Sequence, residues 1–231
     1  MLANERRGCH SYGFSADGIV RKAAKPISRM SRKELKSLAR AQTVMAHTRH
    51  ATHGAVTANN AHPFEIGGIV GAHNGVVSNH WALNTEFGRR YDVDSQHIFR
   101  HLADGIPLDT ISAYGAISWY DLEEYPVVNL ARFNGGELAM SRGAWGCAWS
   151  SERKDLDTAM RYAGLRHERL SVPEGIVLFA RDGQAWTGNE PITIGKPMFA
   201  THWSRFDEDW EETRDSGSRS WYSDHKLVSR K

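Results

Sequence analysis

The sequence predicts a single layered α+β domain. Segments with a helical apolar period flank two batches of short β-rich segments, the pattern of sheets covered by helices. The chain of 231 residues is 40% apolar and 24% charged, enough to bury a core. No interior linker or internal repeat asks for a second domain. The domain is expected over residues 1–200, followed by a polar tail, 201–231, that carries Trp203, Trp210 and Trp221.

The elements follow in order. "SRKELKSLARAQ" (31–42) predicts a helix, with Ser31 as N-cap, Glu34 completing a capping box, and Leu35, Leu38 and Ala39 on one face. "TVMAHTRHA" (43–51) reads as a strand. "IGGIVGAHNGVV" (66–77) reads as a second strand, thinned by glycines where a backbone or ligand approaches closely. "NHWALNTEF" (79–87) and "SQHIFRHLAD" (95–104) are expected helices, the latter capped by Asp94. Four short β-rich runs then cover 114–122, 126–133, 136–142 and 143–151, and "NGG" (134–136) signals a hairpin turn. "SERKDLDTAMRYAG" (151–164) predicts a helix begun by a serine and stopped by Gly164. "GIVLFARDGQAWTG" (175–188) predicts a hairpin turning at Asp182-Gly183.

A net charge of +2, with scattered Lys and Arg, argues against a nucleic-acid partner. No apolar run is long enough to span a membrane, and the first residues lack the apolar stretch of a signal peptide. Two cysteines, Cys9 and Cys147, make no disulfide framework, so a cytoplasmic setting is expected and both are read as small buried apolar residues.

Chemistry concentrates in "HTRHATHGAVTANNAHPF" (47–64) and "GAHNGVVSNH" (71–80). A metal site needs several ligands on one side. His47, His50 and His53 recur every third residue, which on a strand sends His47 and His50 to opposite faces. The partners of usual zinc spacings are also missing. An amino-acid pocket is the other reading. Arg49 offers a planar fork for a carboxylate. Asp94 suits an ammonium, and Asn74 with Gly75, read as lying at the end of a strand, can form an oxyanion hole. Each has a plainer explanation as surface ion pair, cap or turn.

In order along the chain, several stretches resemble one family. "HTRHATHG", "NAHPF" and "AHNGVVSNHWAL" are similar to the Arg-x-Ala-Thr-His-Gly, Asn-Ala-His-Pro and His-Asn-Gly stretches of class II glutamine amidotransferase domains. "DVDSQHIFRHL" resembles the family's Asp-Ser/Thr-Glu segment, with Gln96 in the glutamate place. "RRGCHSYGF" resembles its Arg-Gly-x-Asp-Ser-x-Gly motif, with His10 where aspartate is usual. The likeness extends through "GCAWSSERKDLDTAM" and "VPEGIVLF", from about Arg7 to about Thr187.

The resemblance implies an N-terminal-nucleophile hydrolase fold, an αββα four-layer sandwich of two stacked antiparallel sheets flanked by helices. It implies L-glutamine as substrate and no cofactor. Arg49 would hold the α-carboxylate, with Thr52 and His53 lining the pocket, and Asp94 the α-ammonium. Asn74 and Gly75 would stabilise the oxyanion, and Arg7 and His73 would support the site. A thiolate would attack the side-chain amide, ammonia would leave, and the thioester would be hydrolysed to glutamate.

The family's nucleophile is a cysteine at the mature N-terminus, acting with its own α-amine. Here only "MLANER" precedes the Arg7 motif, so the first strand and helix and the nucleophilic cysteine are expected to be absent from this sequence. Some forty residues after Thr187 are too few for a synthase domain, so any ammonia acceptor is expected to be a separate synthase. Three readings stand: a glutamine amidotransferase or glutaminase domain; an inactive glutamine-binding module; and a metal-dependent hydrolase using His47, His50 and His53.

Overall fold

The computed structural model describes residues 2–51 and 54–197. After a 3₁₀ turn at Leu2–Arg7, the chain runs β1 (Ser11–Ala16), β2 (Ile19–Ala23), α1 (Arg32–Arg40), β3 (Val44–Arg49), β4 (Phe64–Ile66) and β5 (Ile69–Val77). Then come α2 (His80–Glu86), α3 (Gln96–Asp104), β6 (Ala113–Asp121), β7 (Val128–Phe133), β8 (Ala139–Gly143) and β9 (Gly146–Ser150). The last elements are α4 (Arg153–Tyr162), β10 (Glu168–Leu170), β11 (Ile176–Arg181) and β12 (Gln184–Pro191). The fold is mixed α+β, as the sequence predicts.

Every strand pair within the sheets is antiparallel. A six-stranded sheet has the order β12-β11-β7-β6-β5-β4, and two three-stranded sheets have the orders β2-β1-β3 and β10-β8-β9. Four apolar clusters show how these stack. Leu83 of α2 and Ile98 and Phe99 of α3 pack on Ile69, Val77, Ile117 and Phe133 of the large sheet. Its other face presents Val70, Ala72, Tyr120, Leu130 and Leu178 to Met45 of β3 and Met140 of β8. The small sheets are backed in turn by helices. Tyr12 and Phe14 meet Leu38 of α1, and Ala139 meets Leu156 and Met160 of α4. The order is therefore helix, sheet, sheet, helix, with the second sheet layer in two pieces rather than one.

Local signals decide where elements begin and end. The capping box at Ser31 and Glu34 forms in both directions. Asp182 and Gly183, both with positive φ, turn the β11–β12 hairpin. Three expectations change. Residues 66–77 are not one strand, because Gly67-Gly68 makes a two-residue turn that pairs Ile66 with Ile69. The "NGG" turn joins strands of different sheets instead of a hairpin. The Asn134 side chain donates to the carbonyls of Ala113 (2.7 Å) and Gly195 (3.1 Å), anchoring the turn on β6. Gly136 presses on Gly115, where a Cβ would lie 2.0 Å from the carbonyl oxygen. Finally, α4 has Glu152 rather than a serine at its N-cap position, without a side-chain capping bond. The Glu152 carboxylate pairs with Arg6 and Arg7 instead. Gly164 stops the helix as expected, at φ 66°, with the Leu165 N–H closing on the Met160 carbonyl.

Neither cysteine is a buried apolar residue. Cys9 is exposed, and Cys147 is half-buried, its Sγ–H donating to the Gly183 carbonyl at 3.0 Å. No helix of the described residues is long and apolar enough to cross a membrane. The sequence from Thr201 onward, with its three tryptophans, lies outside the described residues.

Candidate active site

The site is built on β5. Antiparallel strands alternate the direction of their backbone groups, so register fixes where each N–H points. The two-residue turn makes Ile69 and Ile66 a hydrogen-bonded pair, so Ile69 and Gly71 face β4, while Val70, Ala72, Asn74 and Val76 face β6. The Ser78 N–H, donating to Ser112 O at 2.8 Å, keeps that parity. Strand β4 pairs only as far as Gly71. Beyond it, the N–H groups of His73, Gly75 and Val77 emerge from an open strand edge. Asn74 and Gly75 thus lie inside a nine-residue strand, not at its end as the sequence suggested.

Side chains alternate across the same strand. Val70 and Ala72 face the small sheets, and Asn74 follows them into the space between the layers. Its amide makes no hydrogen bond among the described residues. Gly75 falls on the opposite row and has no room for a side chain. A Cβ there would sit 2.0 Å from Tyr114 O and 2.5 Å from His73 Nε2. Gly71 is constrained likewise, its missing Cβ occupied by the Phe99 ring at 2.1 Å.

Asp94 precedes α3 but does not cap it through its side chain. Its Oδ2 accepts the Val77 N–H at 2.7 Å, from the open edge that also carries Gly75 N–H. Ser95, at the cap position, makes no capping bond either. Its hydroxyl lies 2.9 Å from His73 Nδ1 and 3.4 Å from Asp94 Oδ1. His73 Nε2 lies 3.2 Å from the Tyr114 carbonyl, so Nε2 carries the hydrogen and Nδ1 accepts. The single hydroxyl proton of Ser95 therefore goes to His73, and Asp94 Oδ1 keeps capacity for another donor. Burial lowers the His73 pKa, opposed by the Asp94 charge, in line with a neutral ring.

Arg49 ends β3, paired with Ser11 of β1. It lies two pleats beyond Met45, which packs on the six-stranded sheet, so it faces that sheet too. It is 4% exposed, and Nη1 lies 3.5 Å from Ala55 O. Desolvation lowers its pKa while the Asp94 carboxylate pulls it back up. The segment after Arg49 is tied down locally. The Ala51 N–H donates to His10 Nδ1 at 3.0 Å, and His10 stacks on His50 with centroids 4.5 Å apart. Thus His10, at the position where the resembled motif has an aspartate, still supplies an acceptor. Gln96, in the glutamate place, accepts the Val93 N–H at 3.2 Å. Thr52 and His53 lie outside the described residues.

Among the described residues, His47 and His50 do not gather as a ligand set. His47 packs on His62, with centroids 4.4 Å apart, while His50 is exposed beside His10. Burial depresses the His47 pKa to about 3, helped by His73, Arg49 and Arg7, and drives His62 well below the usual range. Among the described residues no group of three or more His, Cys, Asp or Glu side chains could hold a metal ion. Arg7 is part-exposed and pairs with Glu152 at 3.1 Å.

The structure therefore brings Asp94 and the Gly75 N–H to one open edge, with Asn74 between the layers and Arg49, at the end of β3, near enough to feel the Asp94 charge. Sequence reasoning missed Ser95, and it quoted Asn60 and His62 within "NAHPF" without a role in the pocket; Asn60 Nδ2 donates to Ala55 O at 3.1 Å. It also missed the β1–β2 hairpin, although Asp17-Gly18 is an ordinary two-residue turn signal.

The family "Glutamine amidotransferases class-II" matches residues 19–185, and the chain belongs to it. Similar relatives are the glutamine–fructose-6-phosphate aminotransferases (isomerizing) of Gluconobacter oxydans and Caulobacter vibrioides. They are 46% identical over 67 residues and 40% identical over 83, covering 27% and 32% of this chain. Those matches span only 11% and 14% of the relatives' own lengths. A solved class-II glutamine aminotransferase domain protein from Silicibacter pomeroyi is 13% identical, covering 79% of this chain and 91% of its own, with a TM-score of 0.47.

Proposed function

We propose that the chain binds L-glutamine at the open edge of β5 and serves hydrolysis of its side-chain amide to glutamate and ammonia. Arg49 clamps the α-carboxylate and Asp94 Oδ1 receives the α-ammonium, so the free amino acid replaces part of the field each exerts on the other. Thr52 and His53 belong to the same pocket in this reading. The amide carbon then comes to the Asn74 amide and the Gly75 N–H. When a thiolate, which Cys9 and Cys147 do not supply at this edge and which the family provides from an N-terminal cysteine, adds to that carbon, the carbonyl oxygen becomes an oxyanion held by those two donors. Collapse expels the amide nitrogen as ammonia with an added proton, and water hydrolyses the thioester. Arg7 and His73 support the site, His73 by holding Ser95 beside Asp94. The observation that carries this reading is the shared edge, where Val77 N–H already binds Asp94 and Gly75 N–H points the same way.

The relatives are named as aminotransferases acting on glutamine and fructose 6-phosphate. Ammonia released here would serve an amination of that general kind, on a synthase that need not be the same polypeptide. The proposed setting is the cytoplasm.

One observation favours a second reading, a module that binds glutamine without turning it over. Cys147 lies in β9 of a small sheet, with burial raising its pKa, and Cys9 is exposed ahead of β1. Neither stands on β5 or α3. Glutamate release from glutamine decides between the two. Hydrolysis predicts release from protein extended upstream to carry an N-terminal cysteine, falling on the order of a hundredfold to a thousandfold in Asn74→Ala. Tight glutamine binding with no release selects the binding module, and neither binding nor release sinks both.

A further inference from the structure

On the far side of the small sheet β2-β1-β3, a cleft of about 980 Å³ runs between β2 and α1. Its charge is one-sided. Arg21, Arg32, Lys33, Lys36 and Arg40 line it, and none of the five makes an ion pair among the described residues. The two acids in the lining are already engaged. Asp17 accepts from the Gln42 and Thr43 N–H groups and from Tyr125, and Glu34 accepts from Tyr12 and from Ser31 of the capping box. The cations are exposed, while Ile19 and Leu35 are 61% and 52% exposed beside them.

The strand wall adds directional donors. The turn at Asp17-Gly18 pairs Ala16 with Ile19, so Ile19, Arg21 and Ala23 bond to β1. The backbone groups of Val20 and Lys22 therefore face away from β1, and β2 is the sheet's edge. Neither residue makes a backbone hydrogen bond elsewhere among the described residues. Ile19 and Arg21 stand on the face toward α1, opposite Val20, which packs toward the core between the sheets.

We propose that this edge and cleft form a docking site for an extended acidic segment of a partner polypeptide, added alongside β2 as a fourth strand. Alternate acidic side chains of that segment meet Arg21 and the α1 cations, and the intervening apolar ones continue the row of Val20. Nucleic acid fits the charge less well, since no aromatic ring lines the cleft to stack a base.

The test uses a fluorescein-labelled peptide alternating glutamate and valine, its lysine-valine counterpart, and a labelled oligothymidine, each titrated against the whole protein by anisotropy. The glutamate peptide is expected to bind, to weaken with salt, and to lose about tenfold or more in affinity with Lys33→Glu/Lys36→Glu/Arg40→Glu. Val20→Pro, which removes one open N–H, is expected to weaken it as well. Thermal melts confirm that the variants remain folded. Absence of glutamate-peptide binding, indifference to the charge reversal, or binding of the oligothymidine in preference to the peptide overturns the proposal.

Discussion

Acidification should destabilise this protein well before its carboxylates titrate, because His62 and His97 are buried, and His47 is half-buried, in neutral form. Burial holds His47 and His97 near a pKa of about 3, and His62 is also lowered far from the usual range. His47 faces Arg49, Arg7 and His73, while His97 faces Arg89, His80 and His101, so cations and other rings add to the desolvation. A depressed histidine pKa means the unfolded chain binds the proton first. Stability is then complete above the unfolded pKa near 6.5 and declines as pH falls toward the folded value. Between about pH 6.5 and pH 5 the His47 and His97 rings each lose about 2 kcal/mol, being roughly 1.5 units at about 1.4 kcal/mol per unit. His47 and His97 together give about 4 kcal/mol, a large share of ordinary domain stability. Asp17 and Glu34, whose pKa values are lowered, lose their contributions only further down. Urea unfolding followed by tryptophan fluorescence at about pH 7 and about pH 5 measures the difference. The His97→Asn variant, started from its own lower stability, should lose about 2 kcal/mol less over the same interval, with His47 and His62 still contributing. A free energy of unfolding that is flat across this interval would refute the buried-neutral assignment.

Two substitutions test the packing that shapes the site. In Gly75→Ala the new methyl meets the Tyr114 carbonyl at 2.0 Å, so β5 and β6 must part locally; about 1–3 kcal/mol and a fall of several degrees in Tm are expected by calorimetry, with an unchanged Tm as the contrary result. Phe99→Ala empties a fully buried ring that fills the space over Gly71, and denaturant titration should show a loss of about 3–5 kcal/mol, or no folded protein.

How much of this was legible in the sequence depended on the range of the interaction involved. The α1 cap and the Asp182-Gly183 turn are set by neighbours a few residues apart, and both form as read. The "NGG" signal carried the right turn chemistry but not its destination, because Asn134 bonds to Ala113 and Gly195 across the sheet. Asp94 looked like a helix cap because the residue type and place suit one. Its actual donor, Val77 N–H, is exposed only because β4 stops short, a fact of register that composition does not carry. Arg49, Asn74 and Gly75 were visible as a motif, whereas the open edge that carries the Gly75 N–H and Asp94 belongs to the assembled sheet. Ser95 gave no signal of its own, since its part is to settle which way one proton points.

The central claim is that the two ends of a free amino acid are recognised by Arg49 and Asp94. Isothermal titration of the protein with L-glutamine, and then with glutaramic acid, which lacks the α-amine, tests it without altering the chain. The expected result is one glutamine per chain, with glutaramic acid bound at least about tenfold more weakly. Equal affinity for the two compounds, or no binding of glutamine at all, would contradict it.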